Sequence, residues 1–312
     1  MKDNRDAGVF GAVAAVAATV TAGFSWVPVL IGWCIATIIF VLLPTEERVR
    51  GKLWAWTVLL GGIFVIAAAA LGAEQAFPEN STFPFVSIAL LLLLWRAMCG
   101  ANRAMGNVAN LLGMFLLLFL VTVTLFGLGD VRWKENLPEM PTWQQIYITI
   151  GAASPWWCLR QGPRGRKTWG WYGASVGISL GLSLLTCGIL GKGLVSQETV
   201  PLYRAVQTIR ILGVLQRLEA LLAAAVLMGA FCVLLLTGER IRQAGKIVLP
   251  GASGKWIGTA VGLGGFLVEV ALWLLTNRAI KTEIISVFWG VIPILALWIV
   301  LFGKSRKTEK NA

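Results

Sequence analysis

Residues Val108 to Gly127 read VANLLGMFLLLFLVTVTLFG and give the clearest signal in the chain. The segment contains no charged residue, and its length matches the roughly 20 residues that an α-helix needs to cross a hydrocarbon core about 30 Å thick. Similar apolar segments, separated by short polar breaks, fill the chain almost from end to end. The sequence therefore predicts an all-α membrane protein with little left over for a soluble domain.

The composition agrees with a membrane protein. Of the 312 residues, 57% are hydrophobic and 13% are charged, against about 25% charged in an ordinary soluble domain. The net charge of +12 does not indicate nucleic-acid binding, because the basic residues are scattered through short loops. Histidine is absent and the five cysteines form no CxxC pair, so no metal site and no cofactor are expected.

The apolar runs predict about ten transmembrane helices in one integral-membrane domain over 1–312. The first two runs are joined only by Gly23 to Trp26, so we expect a tight helical hairpin or one interrupted element. The predicted helices lie near 8–24, 25–43, 53–73, 83–99, 108–127, 143–160, 169–191, 214–237, 256–276 and 284–302.

The distribution of lysine and arginine predicts the orientation, because cytoplasmic loops retain positive charge during insertion. Placing the N terminus inside assigns most of the 27 basic residues to the cytoplasm, Arg160, Arg240 and Arg242 among them. We therefore predict a multi-pass protein of the cell inner membrane with both N and C termini cytoplasmic. Several of the 15 tryptophans, such as Trp156 and Trp256, lie at predicted helix ends and are interpreted as interfacial anchors. The alternative for Trp156 and Trp157, that they line a ligand cage, is less favoured.

A proline interrupts the sixth predicted helix, in the motif Gly151-Ala-Ala-Ser154-Pro155. Proline has no N–H to donate and its ring clashes with the preceding turn, which frees carbonyl groups in mid-membrane. We therefore expect a kinked or broken helix. Many transporters expose backbone groups to substrates at such a break, whereas a kink alone can serve packing, and the sequence leaves both interpretations open.

Four charged residues are candidates for an intramembrane charge network: Arg210, Arg217, Glu219 and Glu269. An interfacial helix is expected from Pro201 to about 213, followed by a crossing whose first turns contain Arg217 and Glu219. Residues two apart point to different sides of a helix, so each needs a partner elsewhere. The alternative for Arg217 is that its side chain snorkels to the outer headgroups. Glu269 is the most deeply placed carboxylate; it could couple proton binding to a conformational change or neutralise Arg217 as a structural tie.

Three segments of the sequence carry a family resemblance. They run from Thr82-Phe-Pro84 through Arg96, Gly100 and Arg103 to Asn136-Leu137-Pro138, from Tyr203-Arg204 through Arg210 to Arg217-Leu218-Glu219, and from Val291-Ile292-Pro293 to Lys304-Ser-Arg306-Lys307. In these segments the chain resembles the spore germination permeases, the integral-membrane B subunits of nutrient germinant receptors, in the amino acid/polyamine/organocation transporter superfamily.

The resemblance implies a five-plus-five inverted-repeat core whose first and sixth helices are interrupted around a small-molecule site. On that basis the candidate ligand-binding residues are Thr19, Thr21, Gly151, Ser154 and Pro155. The implied partners are a membrane-anchored A subunit, a lipoprotein C subunit and a small nutrient such as an amino acid, all at the inner spore membrane.

The alternative function is that of a secondary amino-acid transporter coupled to a proton or a sodium ion. An intramembrane enzyme fits poorly, because the chain has no histidine, no plausible base beside a serine or cysteine and few buried carboxylates.

Overall fold

In the part of the chain that the computed structural model describes, the regular secondary structure is helical and contains no strand. Among these residues, three helices are long and apolar enough to cross a membrane, over 104–130, 166–190 and 222–248. This finding agrees with a membrane protein. The described residues are 6–42, 52–75, 85–100, 102–136, 140–160, 165–195, 198, 201–208 and 218–275.

Twelve α-helices are numbered here in chain order over the described residues. The longest follow the apolar runs of the sequence, and the short ones, α7, α9 and α10, lie between them. Their bounds are α1 Asp6–Val16, α2 Trp26–Leu42, α3 Lys52–Gln75, α4 Phe85–Met98, α5 Asn102–Gly127, α6 Trp143–Ala153, α7 Pro155–Cys158, α8 Arg166–Leu190, α9 Lys192–Val195, α10 Pro201–Thr208, α11 Leu218–Val248 and α12 Gly254–Leu275.

Helix α1 is the centre of the packing, and every one of its residues is buried. It packs against α5, α8 and α11. Glycines permit the close approach: a Cβ added at Gly8 would lie 3.0 Å from the Cβ of Ala109, and one added at Gly229 would lie 2.5 Å from the Cβ of Ala15. Small residues at these crossings bring backbones together where a hydrophobic driving force between helices is weak.

Helix α11 extends beyond the predicted end of its span at 237, as far as Val248. The extra turns are held by packing, because Ile241 and Ala244 are buried and a Cβ at Gly245 would lie 2.9 Å from Ile257. Arg240 and Arg242 therefore lie on a helix that packs against other helices, and their interpretation as loop residues is wrong.

The tryptophans that the structure describes differ in their exposure. Trp143 and Trp256 are largely exposed at helix ends, as interfacial anchors would be. Trp156 is only 1% exposed, and its indole N–H donates to the Ser175 hydroxyl over 3.1 Å. Its interpretation as an interfacial anchor is wrong, because the chain folds α8 over it.

Candidate functional site

The first helix loses its regular geometry after Val16. Ala17 to Thr21 form a π-helical turn, in which the Ala22 N–H donates to the Ala17 carbonyl over 2.9 Å. Such turns are rare in proteins, and many of those that occur lie at functional sites. The Thr19 hydroxyl donates to the Ala15 carbonyl over 3.0 Å, and the Thr21 hydroxyl donates to the Ala17 carbonyl over 3.2 Å. Both candidate hydroxyls therefore have partners within their own helix.

The sixth predicted helix is interrupted at Ser154, as the proline predicts. Helix α6 ends at Ala153, and the short helix α7 begins at Pro155. The Ser154 N–H donates to the Gly151 carbonyl over 3.0 Å, which replaces the bond that Pro155 cannot make. A tighter turn thus satisfies the freed carbonyl.

The two interrupted segments pack against each other. The π-helical turn contacts α6, and α1 contacts α7. A Cβ at Gly32 of α2 would lie 2.6 Å from the Thr149 Cβ, so α2 also lies directly on α6. The structure therefore brings together the segments that carry all five candidate ligand-binding residues.

A buried ion pair lies at one end of these segments. The Arg160 Nε donates to the Asp6 Oδ1 over 3.1 Å, with the two side chains 7% and 3% exposed. The Thr168 hydroxyl completes a triangle, because it accepts from the Arg160 Nη2 over 3.0 Å and donates to the Asp6 Oδ2 over 2.9 Å. Buried charges persist when they are paired and hydrogen-bonded in this way. The pair joins the start of α1, the end of α7 and the start of α8.

Two arginines of α11 fasten neighbouring helix ends at the same side. The Arg240 Nη2 donates to the Arg160 carbonyl over 2.6 Å. The Arg242 Nη1 donates to the carbonyls of Met98 and Gly100, over 3.0 and 2.6 Å. The last carbonyls of a helix have no intrahelical partner, so a cation there supplies both a donor and a favourable charge. This side of the bundle, formed by Asp6, Arg160 and Arg240, is called the Arg160 end.

The chain matches no protein-family model and no curated protein.

The opposite side of the bundle holds the link between α1 and α2. The Ser183 hydroxyl donates to the Phe24 carbonyl over 2.6 Å, and the Cys187 thiol donates to the same carbonyl over 3.3 Å. Both donors belong to α8. This side, formed by Phe24, Ser183 and Cys187, is called the Phe24 end.

One face of α8 connects the two ends through buried hydroxyls. Thr168 lies at the ion pair, Ser175 accepts from Trp156, Ser179 donates to the Ser175 carbonyl over 2.8 Å, and Ser183 holds Phe24. Their spacing of about two turns and then one turn keeps them on one side of the helix. The sequence shows this pattern, because serine and threonine residues recur at helical spacing within an otherwise apolar segment.

The predicted charge network is not assembled by the described residues. Arg210 and Arg217 lie outside them, and Glu219 is described only as a backbone position in the first turn of α11. Glu269 is 1% exposed on α12, which packs against α3, α4 and α11. The network stays a prediction, and so does the helix over 284–302, which also lies outside the described residues.

Sequence reasoning missed the charged residues that the structure does bring together, Asp6 and Arg160. Asp6 directly precedes an apolar helix, and Arg160 directly follows one. An acidic and a basic residue that flank apolar helices on the same predicted side of the membrane indicate that an ion pair can form between them. This signal is hard to recognise because charges next to apolar helices ordinarily serve as topology signals.

Proposed function

We propose that the chain is the integral-membrane subunit of a nutrient germinant receptor. In this role it is a multi-pass protein of the inner spore membrane that binds a small nutrient, such as an amino acid, between its interrupted helices. It then passes a conformational signal to the A and C subunits. The observation that carries the proposal is the packing of two interrupted segments, Ala17–Thr21 and Ser154–Pro155, against each other inside a bundle of apolar helices.

Three exchanged pairs of helix contacts support a five-plus-five inverted repeat. The proposed first half is α1 to α5; the second half is α6 with α7, then α8, α11, α12 and the predicted helix over 284–302. The contact of α2 with α6 has its counterpart in that of α8 with α1. The contact of α3 with α12 likewise corresponds to that of α11 with α4, and α3 on α4 corresponds to α11 on α12. A two-fold relation between the halves requires such exchanged pairs.

The Arg160 end supplies the conformational part of the proposal. Its ion pair joins helices of both proposed halves, because Asp6 belongs to α1 whereas Arg160 and Thr168 belong to the second half. We assign this end to the cytoplasm. In the proposed cycle, the nutrient binds more tightly to the arrangement in which the pair is open, and this difference in affinity drives the change. Partner subunits respond to the displaced helix ends.

Spores provide the direct test of a receptor role. We expect spores that lack the gene to lose germination in response to one class of nutrient, and we expect the intact chain to restore it. A chain with Asp6→Asn, which removes the charge and keeps the shape, is expected to alter the nutrient concentration needed. The test is made in a strain from which the other germinant receptors have been deleted. If this strain still germinates normally with every single amino acid and sugar after the present gene is also deleted, the result would count against the receptor role.

The alternative function is a secondary amino-acid transporter coupled to a proton or a sodium ion. Glu269, a carboxylate buried on an apolar helix, favours this alternative, because such residues serve proton relays in membrane proteins. Reconstitution of the chain alone into vesicles separates the two functions. Amino-acid uptake without the partner subunits would favour the transporter, and uptake that Glu269→Gln makes insensitive to pH would identify the proton as the coupling ion.

A further inference from the structure

Helices α4 and α12 meet at the Arg160 end as an antiparallel pair. A Cβ at Gly258 would lie 3.1 Å from the Met98 Cβ, and a Cβ at Gly262 would lie 3.2 Å from the Trp95 ring. The Trp95 indole N–H also donates to the Thr259 hydroxyl over 3.3 Å. The last turn of α4 therefore lies against the first two turns of α12.

The surface of this junction carries two cations and two indole rings. Arg96 in the last turn of α4 and Lys255 in the first turn of α12 are both exposed. Trp95 is 42% exposed and Trp256 is 75% exposed. The one acidic residue of the two helices, Glu269, is buried and lies about 20 Å farther along α12 at 1.5 Å per residue. Both cations and both indole rings therefore lie at the adjoining ends of α4 and α12, and the exposed charge there is positive.

An exposed apolar face continues from this junction along both helices. On α4 it consists of Leu92 and Leu93, and on α12 it consists of Leu263 and Leu267. These side chains lie one to three turns from the cations. The surface thus offers a charged, aromatic head region and an apolar region beyond it, in the order of a phospholipid's headgroup and acyl chains.

Arg242 fixes the geometry of the junction from behind. Its hydrogen bonds to the Met98 and Gly100 carbonyls hold the end of α4. It also lies against the start of α12, where a Cβ at Gly254 would lie 2.6 Å from its Nε. The two cations are thus placed by a braced pair of helix ends.

We propose that this junction is a binding site for the phosphate headgroup of an anionic phospholipid, with Arg96 and Lys255 as the charged contacts and Trp256 at the headgroup boundary. Clusters of cations between helices at the cytoplasmic face bind such headgroups, and each cation contributes about 1 kcal/mol near a charged surface. The proposal is independent of the germinant-receptor role.

Fluorescence quenching by brominated lipids tests the site. The intact chain is reconstituted into phosphatidylcholine vesicles that contain increasing fractions of brominated phosphatidylglycerol, and the Trp256→Phe variant gives the contribution of Trp256 by difference. We expect the fraction of brominated phosphatidylglycerol that gives half-maximal quenching of Trp256 to be about fivefold higher in Arg96→Gln than in the wild type. The same increase is expected in Lys255→Gln.

Arg166→Gln with Lys167→Gln is the matched control, because these two exposed cations begin α8 at the same end of the bundle. The control is expected to keep the half-maximal fraction of the wild type. An equal shift in the control would reduce the effect to general surface charge and overturn the proposal. Should the site variants fold poorly, the wild type decides alone: brominated phosphatidylcholine that quenches Trp256 as strongly as brominated phosphatidylglycerol would also overturn it.

Discussion

The Asp6–Arg160 pair is a buried ion pair at the Arg160 end. Both charges are nearly excluded from solvent. The Thr168 hydroxyl also accepts a hydrogen bond from the guanidinium and donates one to the carboxylate. Asp6 also lies in the first turn of α1, where the helix dipole favours a negative charge. A pair of this kind tolerates joint replacement much better than the loss of one partner, because a lone buried charge keeps its full desolvation penalty.

Arg160→Gln is therefore expected to lower the free energy of unfolding by about 3–5 kcal/mol, since it leaves Asp6 buried without a counter-charge. Denaturant titration of the purified chain in detergent micelles measures the change. Asp6→Asn combined with Arg160→Gln is expected to recover a large part of the loss. Lys167→Gln, at an exposed position on the same end, is the control and should change the value by less than about 0.5 kcal/mol. Equal losses at Arg160 and Lys167 would contradict a buried pair.

Helix α1 owes its central position to small residues on its neighbours as well as on itself. Gly113 of α5 lies so close to α1 that an added Cβ would meet the Ala7 carbonyl, and Gly11 approaches Gly113 from the other side. A helix of this composition can be surrounded by three others because glycines let the helix backbones approach one another closely. The interruptions at Ala17–Thr21 and Ser154 then lie within a rigid surrounding.

Gly113→Ala is expected to destabilise the chain by about 1–3 kcal/mol, because the new methyl group pushes α1 away from α5. The melting temperature in detergent gives the readout. The paired control is Gly177→Ala in α8, where an added Cβ meets nothing within 4 Å. There alanine should stabilise the helix by about 0.5–1 kcal/mol, since it removes the backbone freedom of glycine. A loss at Gly177 as large as that at Gly113 would argue against the tight crossing.

Pro155→Ala is expected to restore helix continuity from α6 into α7, because alanine supplies the missing N–H. If the break serves ligand binding, the variant chain should accumulate at the normal level but lose the nutrient response, as measured by germination of complemented spores. Pro28→Ala provides the control: Pro28 lies in the first turn of α2, where proline is tolerated without a break. An unchanged response with Pro155→Ala would leave the break as a packing kink.

The whole molecule is organised around its two ends. The Arg160 end is held by charged side chains, whereas the Phe24 end is held by neutral donors of α8 on a backbone carbonyl. Between them, apolar side chains such as Ile38, Leu118 and Leu267 face outward. This distribution suits a bilayer, because backbone and charge are satisfied internally and the surface is left apolar.

The proposed sidedness can be measured. In the proposed topology, one crossing, formed by α6 and α7, separates Lys134 from Lys167, and both side chains are exposed. We expect Lys134→Cys to react with a membrane-impermeant maleimide from outside intact cells, and Lys167→Cys to react only after permeabilisation. The parent chain, with its native cysteines, gives the background. Labelling of both positions from one side would refute the proposed topology.

The sequence by itself determined the class of protein, the place of the apolar helices and the break before Pro155. It could do so because helix-forming apolar runs and proline geometry are local properties, which depend on a residue and its near neighbours in the chain. The helical period of hydroxyls from Thr168 to Ser183 is likewise a local pattern.

Only the tertiary structure decided which polar groups meet. Asp6 and Arg160 lie far apart in sequence, and their pairing depends on α1 being surrounded by α5, α8 and α11. The same burial removed Trp156 from the interface and extended α11 past Thr237, because packing against other helices outweighs the local preference of a tryptophan or an arginine for water. Contacts between distant segments depend on the whole arrangement of helices, and no local pattern specifies that arrangement.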